Sequence, residues 1–146
     1  MKEKINTLWE NLREVNNIKL LQSKYKSPIN LDPDEYRIDD LGAIIKKSEY
    51  GNQTEFGWTI DHMFPLSKGG DDNIRNLQLL HWKNNELKGD DFPTFSWDTS
   101  INLDGDRITN DSKLRIRATF TGSFVDSLSD IYPNIMQYWV SPLEQV

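Results

Sequence analysis

The chain has 146 residues, a net charge of -6 and no cysteine. That length fits one domain, or one domain with a small appendage, and can bury a core without covalent staples. The absence of cysteine excludes a disulfide framework and any cysteine-ligated zinc or iron–sulfur site, and is compatible with a reducing compartment. No apolar run is long enough to span a membrane. The opening MKEKINTLWENL mixes acids and bases and lacks the apolar core of a signal peptide. The expectation is therefore a cytoplasmic protein without a membrane partner.

In chain order, residues 3–22 carry Ile5, Leu8, Trp9, Leu12, Val15 and Leu20 near helical spacing, which predicts one amphipathic helix. Ser27-Pro28 and Asp32-Pro33 break regular structure, because the residue before proline disfavours helix. Residues 39–45 read as a turn followed by a short strand-like piece, and Gly51-Asn52 as a turn. Gly57-Trp58-Thr59-Ile60 leads as a strand into Asp61-His62. Residues 67–76 form a polar loop around Gly69-Gly70. Leu77 to His81 suits a second strand, and Trp82 to Lys88 one or two helical turns stopped by Gly89. Phe92-Pro93 closes this unit. Beyond it the chain leans towards β structure, with a turn at Asp104-Gly105-Asp106. Leu114, Ile116, Ala118 and Phe120 alternate with polar residues. Arg115 and Arg117 share the opposite face, as either a DNA-facing stripe or an exposed polar face. Ile135 to Val140 is apolar and has no clear type. The expected organisation is an N-terminal helix (1–30), a core (31–91) and an acidic, partly β extension (92–146).

The chemistry concentrates between Trp58 and Gly89. Phosphodiester hydrolysis needs a base to deprotonate water, and positive charge for the phosphate and the leaving oxygen. One hard divalent cation can supply the latter, held by as few as one or two protein oxygens. Histidine suits the base, because its ordinary pKa is about 6.5. Asp61 supplies a carboxylate, His62 an imidazole and Asn85 an amide oxygen. Adjacent side chains in a strand point to opposite faces, so Asp61 and His62 can serve one phosphate only through a twist, or at the strand's end. His81 reads more readily as a packed or hydrogen-bonding residue than as a ligand.

The order Asp61-His62, then Asn76-Leu77, then Asn85 with Lys88-Gly89 resembles the HNH nuclease superfamily. Its flanks agree: Gly57-Trp58, Pro65, Lys68-Gly69-Gly70 and Leu79-Leu80-His81-Trp82. Upstream, Tyr36-Arg37, Asp39, Gly42-Ala43 and Tyr50-Gly51-Asn52 resemble one branch of that family, so the resemblance covers roughly residues 33–90. It implies an α+β fold built on a ββα-metal core, and a metal-dependent DNA endonuclease leaving a 3′-hydroxyl and a 5′-phosphate. His62 resembles the general base and Asp61 a metal ligand. Asn85 resembles the second ligand, and Asn76 the residue that orients the His62 loop through its backbone. The ion implied is Mg²⁺ or Mn²⁺. Structural zinc is not expected, because many relatives bind it through cysteines this chain lacks; packing by Trp58, Phe64, Trp82 and Trp97 would take its place. Lys68, Arg75, Lys83 and Lys88 are candidate DNA contacts, or an ordinary solvated surface.

Charge complicates that reading. Residues 1–50 balance, residues 51–89 carry a net -1 and residues 90–146 a net -5. Phosphate binding normally draws on Lys and Arg, although a bound cation would neutralise Asp61. Two alternatives stay open: a nuclease subunit whose acidic tail docks on a protein partner that supplies DNA affinity, and a non-catalytic nucleic-acid-binding module; a homodimer stays open in either setting.

Overall fold

A computed structural model describes residues 1–15, 32, 34–98 and 115–139, with backbone alone for 115–118. Helix α1 spans Lys2–Glu10. A hairpin follows, with β1 (Tyr36–Ile38) and β2 (Ile44–Lys46) paired antiparallel. The central pair is β3 (Trp58–His62) against β4 (Leu77–His81), also antiparallel, and β4 runs directly into helix α2 (Trp82–Lys88). A third antiparallel pair joins β5 (Thr94–Asp98) to β6 (Arg115–Thr119), followed by the short helix α3 (Gly122–Ser127) and a 3₁₀ turn at Ile135–Tyr138. The fold is α+β, and its centre is two strands followed by a helix.

Helix α1 is shorter than the 3–22 span its apolar spacing predicts. It stops at Glu10, where Asn11 forms the cap. The reason lies in tertiary bonding. The Arg37 guanidinium donates to the carbonyls of Glu10 at 3.2 Å and Leu12 at 2.9 Å, and Ile38 N–H donates to the Arg13 carbonyl at 2.9 Å. These bonds draw residues 12–13 alongside β1 in place of another helical turn. Leu12 and Val15 are still buried, as the apolar pattern requires. The Leu20 position and the Ser27-Pro28 break lie outside the described residues, as do Pro33, the Asp104-Gly105-Asp106 turn and Val140; so does the side-chain face of Arg115 and Arg117.

The core has two apolar clusters. In one, Trp9 and Leu12 pack with Ile45 of β2, Trp58 of β3 and Leu79 of β4. In the other, Phe64, just beyond β3, and Phe92 pack with Val125, Leu128, Tyr132 and Ile135. The segment after Phe92-Pro93 carries more than the expected β structure. It supplies helix α3, and its apolar residues cover the loop after β3. Strand β5 also returns to α2, where Asp98 N–H donates to the buried Asn84 Oδ1 at 3.0 Å. Among the expected zinc substitutes, Trp58 and Phe64 are fully buried, while Trp82 and Trp97 are half-buried. No helix among the described residues is long and apolar enough to cross a membrane.

Candidate active site at the end of the central strand pair

The β3–β4 register sets the site. Asp61 pairs across the strands with Gln78, and His62 with Leu77 at the end of the ladder. Side chains directly opposite in an antiparallel pair share a face. Accordingly, Gln78 Nε2 donates to Asp61 Oδ2 at 2.7 Å. The other oxygen, Asp61 Oδ1, meets Lys88 Nζ at 3.1 Å, in a pair with side chains 4% and 0% exposed. Lys88 Nζ also donates to the His62 carbonyl at 3.2 Å. A carboxylate has about four lone-pair positions, so each Asp61 oxygen keeps capacity for a further partner.

Strand alternation persists, yet both side chains reach one place, because His62 is the last residue of β3. Asp61, His62 and Asn85 line a cleft of about 400 Å³, with Ser67 and Asp90 on its rim. Asn85 sits in the second turn of α2, and its Nδ2 donates to the Ile60 carbonyl at 3.4 Å. That bond orients the amide and leaves Oδ1 without a partner among the described residues. His62 is partly exposed, and its Nε2 lies 2.8 Å from Asp72 Oδ1. The oxygens of Asp61 and Asn85 form a hard donor set. It suits a small divalent cation that keeps most of its waters and does not suit zinc held by soft ligands. Among the described residues no three acidic, histidine or cysteine side chains converge as a metal cluster. The set therefore amounts to one carboxylate, one amide and solvent.

Asn76 is fully buried at the start of β4. Its Oδ1 accepts from Phe64 N–H at 2.7 Å, and its Nδ2 donates to the carbonyls of Phe64 at 2.9 Å and Asp71 at 3.2 Å. Its own carbonyl accepts from Met63 N–H at 2.8 Å. One side chain thus ties together both ends of the loop after His62. Gly70 is required there by close approach: a Cβ would stand 1.8 Å from the Phe64 carbonyl oxygen and 2.9 Å from Asn76 Nδ2. Gly69 is required by its φ of +112°.

The proposed DNA contacts scatter. Lys88 is the clear correction: it is fully buried under Asp61 and cannot lie on a phosphate-facing surface. As the last residue of a short helix, three positions after Asn85, it falls on the face that packs against β3. Arg75 is half-exposed, but its guanidinium forks onto Asp130 at 2.8 and 3.1 Å and also bonds the Ser127 carbonyl. That pairing holds the Asp130 carboxyl below its ordinary range. Lys68 Nζ donates to the Asp90 carbonyl at 2.7 Å. Lys83 is exposed, with its ammonium over the Trp82 ring.

His81 is buried, its Nε2 2.8 Å from the Glu55 carbonyl and its Nδ1 accepting from Lys83 N–H as the cap of α2. Burial keeps its pKa below the ordinary value. Asp39 is a structural carboxylate that charge and spacing do not mark. One oxygen accepts from Leu41 and Ala43 N–H at 3.0 and 2.8 Å, closing the β1–β2 turn; the other accepts from His81 N–H at 2.9 Å. Complete burial outweighs these bonds and raises its pKa to about 6.

A family model described as HNH endonuclease matches residues 46–91. Searches among curated proteins and among solved structures gave no match. The matched stretch runs from the end of β2 through the central strand pair and α2, and contains Asp61, His62, Asn76 and Asn85 in the geometry just described. Residues 46–91 are thus similar to HNH endonucleases.

Proposed function

We propose that the domain is a divalent-cation-dependent endonuclease that hydrolyses phosphodiester bonds of DNA. The observation carrying this reading is the convergence of Asp61, His62 and Asn85 on one cleft where β3 ends. His62 takes a proton from water as that water attacks phosphorus. The bond from phosphorus to the 3′ oxygen breaks, that oxygen gains a proton from solvent, and the products carry a 5′-phosphate and a 3′-hydroxyl. Asp61 and Asn85 would hold Mg²⁺ or Mn²⁺, which neutralises charge on the phosphate and the leaving oxygen. Asn76 fixes the loop that follows His62. Gln78 and Lys88 fix the Asp61 carboxylate between them.

The test is incubation of the full chain with supercoiled plasmid, linear duplex, single-stranded DNA and RNA, with and without Mg²⁺ or Mn²⁺. Metal-dependent nicking that disappears in His62→Ala supports the reading. Duplex binding without turnover in either metal would favour a non-catalytic binding module. The placement of the cations favours a second setting for the same chemistry. Lys88 is buried, Arg75 is paired with Asp130 and Lys68 is bound to a carbonyl. Of the four candidate contacts, Lys83 alone is exposed with no hydrogen-bond or ion-pair partner for its ammonium among the described residues, so a protein partner would supply most of the DNA affinity. Weak plasmid binding that persists at low salt supports that setting; tight, steeply salt-dependent binding by the chain alone opposes it.

A further inference from the structure

We propose that Asp72 is the positioning carboxylate of His62, fixing which imidazole nitrogen acts as the base. This rests on the assignment of His62 as general base. Asp72 Oδ1 lies 2.8 Å from His62 Nε2. An ionised carboxylate can only accept, so Nε2 carries the hydrogen in the neutral imidazole and Nδ1 keeps the lone pair. Nδ1 has no partner among the described residues, and the ring lines the cleft. The same carboxylate stabilises the imidazolium that forms once the proton has moved.

Asp72 is 58% exposed, and an exposed ion pair alone does little. Here the turn that carries it, Asp71-Asp72, is held by three side chains. Lys4 of α1 donates from Nζ to the Asp72 carbonyl. Asn76 Nδ2 donates to the carbonyl of the preceding residue, Asp71, at 3.2 Å. Tyr132, from the segment after α3, donates its hydroxyl to Asp71 Oδ1 at 2.5 Å, and the same carboxylate oxygen accepts from Asn73 N–H at 3.0 Å. The Asp71 carboxyl consequently sits below its ordinary range, chiefly through the Tyr132 bond. The elements on either side of the family core thus serve the catalytic loop: α1 and the C-terminal segment hold the turn that carries Asp72, so little conformational entropy is lost in presenting its carboxylate.

The experiment compares wild type, Asp72→Leu and Asp72→Asn as full-length proteins. Leucine removes the acceptor; asparagine keeps a neutral one. On supercoiled plasmid with Mn²⁺, Asp72→Leu should lower kcat about fivefold with KM unchanged, the upper end of what an exposed charge pair supplies. Asp72→Asn should recover part of that loss. The chain has two histidines, so ¹⁵N-histidine spectra of the metal-free protein separate His62 from His81. Wild-type His62, observed when neutral, should show the Nε2–H tautomer. Asp72→Leu should show a mixture, with the His81 signals unmoved. A wild-type rate and tautomer in Asp72→Leu would overturn the proposal, as would a lowered KM with unchanged kcat, which would mark Asp72 as merely repelling phosphate. Nicking at the wild-type rate in His62→Ala would remove the base assignment and this proposal with it. An inactive His62→Ala beside a fully active Asp72→Leu would remove this proposal alone.

Discussion

Replacing Lys88 by methionine keeps the length of the side chain and removes its charge. In the native protein Lys88 Nζ has two partners, Asp61 Oδ1 at 3.1 Å and the His62 carbonyl at 3.2 Å, with no solvent access. Removing one member of a buried ion pair costs about 3–5 kcal/mol, because the other charge is left uncompensated. Asp61 keeps the Gln78 bond and borders the cleft, which places the expected loss near the lower end, about 3 kcal/mol. For a chain of this size that lowers Tm by roughly 10 °C. Denaturant unfolding of wild type, Lys88→Met, Asp61→Asn and the double variant forms a cycle. Its coupling energy should be about 2 kcal/mol, as expected for residues in direct contact. Lys88→Met should also bind Mn²⁺ at least about tenfold more tightly, because a competing positive charge beside Asp61 is gone. The metal-induced rise in Tm should grow accordingly. A Lys88→Met protein that melts within a degree or two of wild type would refute the burial argument, and so would an equal loss in the Asp61→Asn background.

Asn76→Ala leaves three backbone groups of the His62 loop without partners. At about 1 kcal/mol or more for each orphaned group, unfolding free energy should fall by at least about 3 kcal/mol, measured by urea titration with an unchanged slope. Asn85→Ala should leave Tm unaffected without metal, because its one side-chain bond among the described residues is a long 3.4 Å contact, and should abolish most of the rise in Tm that Mn²⁺ produces. Asp39 predicts a pH dependence. Its folded pKa of about 6 lies above the ordinary value of 3.8, so the folded state holds the proton more tightly. Its contribution to stability is then greatest below about pH 4 and is lost as pH rises through about 6, by on the order of 3 kcal/mol. The difference in unfolding free energy between wild type and Asp39→Asn, followed from pH 4 to pH 7, should show that fall; a flat difference would contradict it.

What the sequence made legible were features with a local cause. Strands β3 and β4 follow from short apolar runs bounded by glycine and asparagine. Helix α2 begins where His81 can cap it and stops at Gly89, whose φ is +51°. The α+β class and the HNH core followed from the order of Asp61, His62, Asn76 and Asn85. Features set by long-range contacts were not legible. The end of α1 depends on Arg37, 27 residues beyond Glu10. The burial of Lys88 depends on how α2 docks against β3, and a lysine at a helix end otherwise reads as a solvated charge. Gln78 becomes a partner of Asp61 only once the strand register is known. The Asp72 carboxylate meets His62, ten positions earlier, only because the loop after β3 folds back on itself. The segment after Pro93 was read by alternation, which finds β6. It does not find helix α3, whose signal is a single cap, the Thr121 side chain accepting from Phe124 N–H.

The most direct measurement is nicking of supercoiled plasmid by wild type and His62→Ala side by side, with Mg²⁺, with Mn²⁺ and with chelator, after confirming equal Tm for the two proteins. General-base catalysis contributes about 10²–10⁴-fold. Wild type should therefore nick in either metal and not in chelator, and His62→Ala should be slower by at least about a hundredfold. A properly folded His62→Ala protein that nicks as fast as wild type, or wild-type cleavage that persists in chelator, would contradict the account.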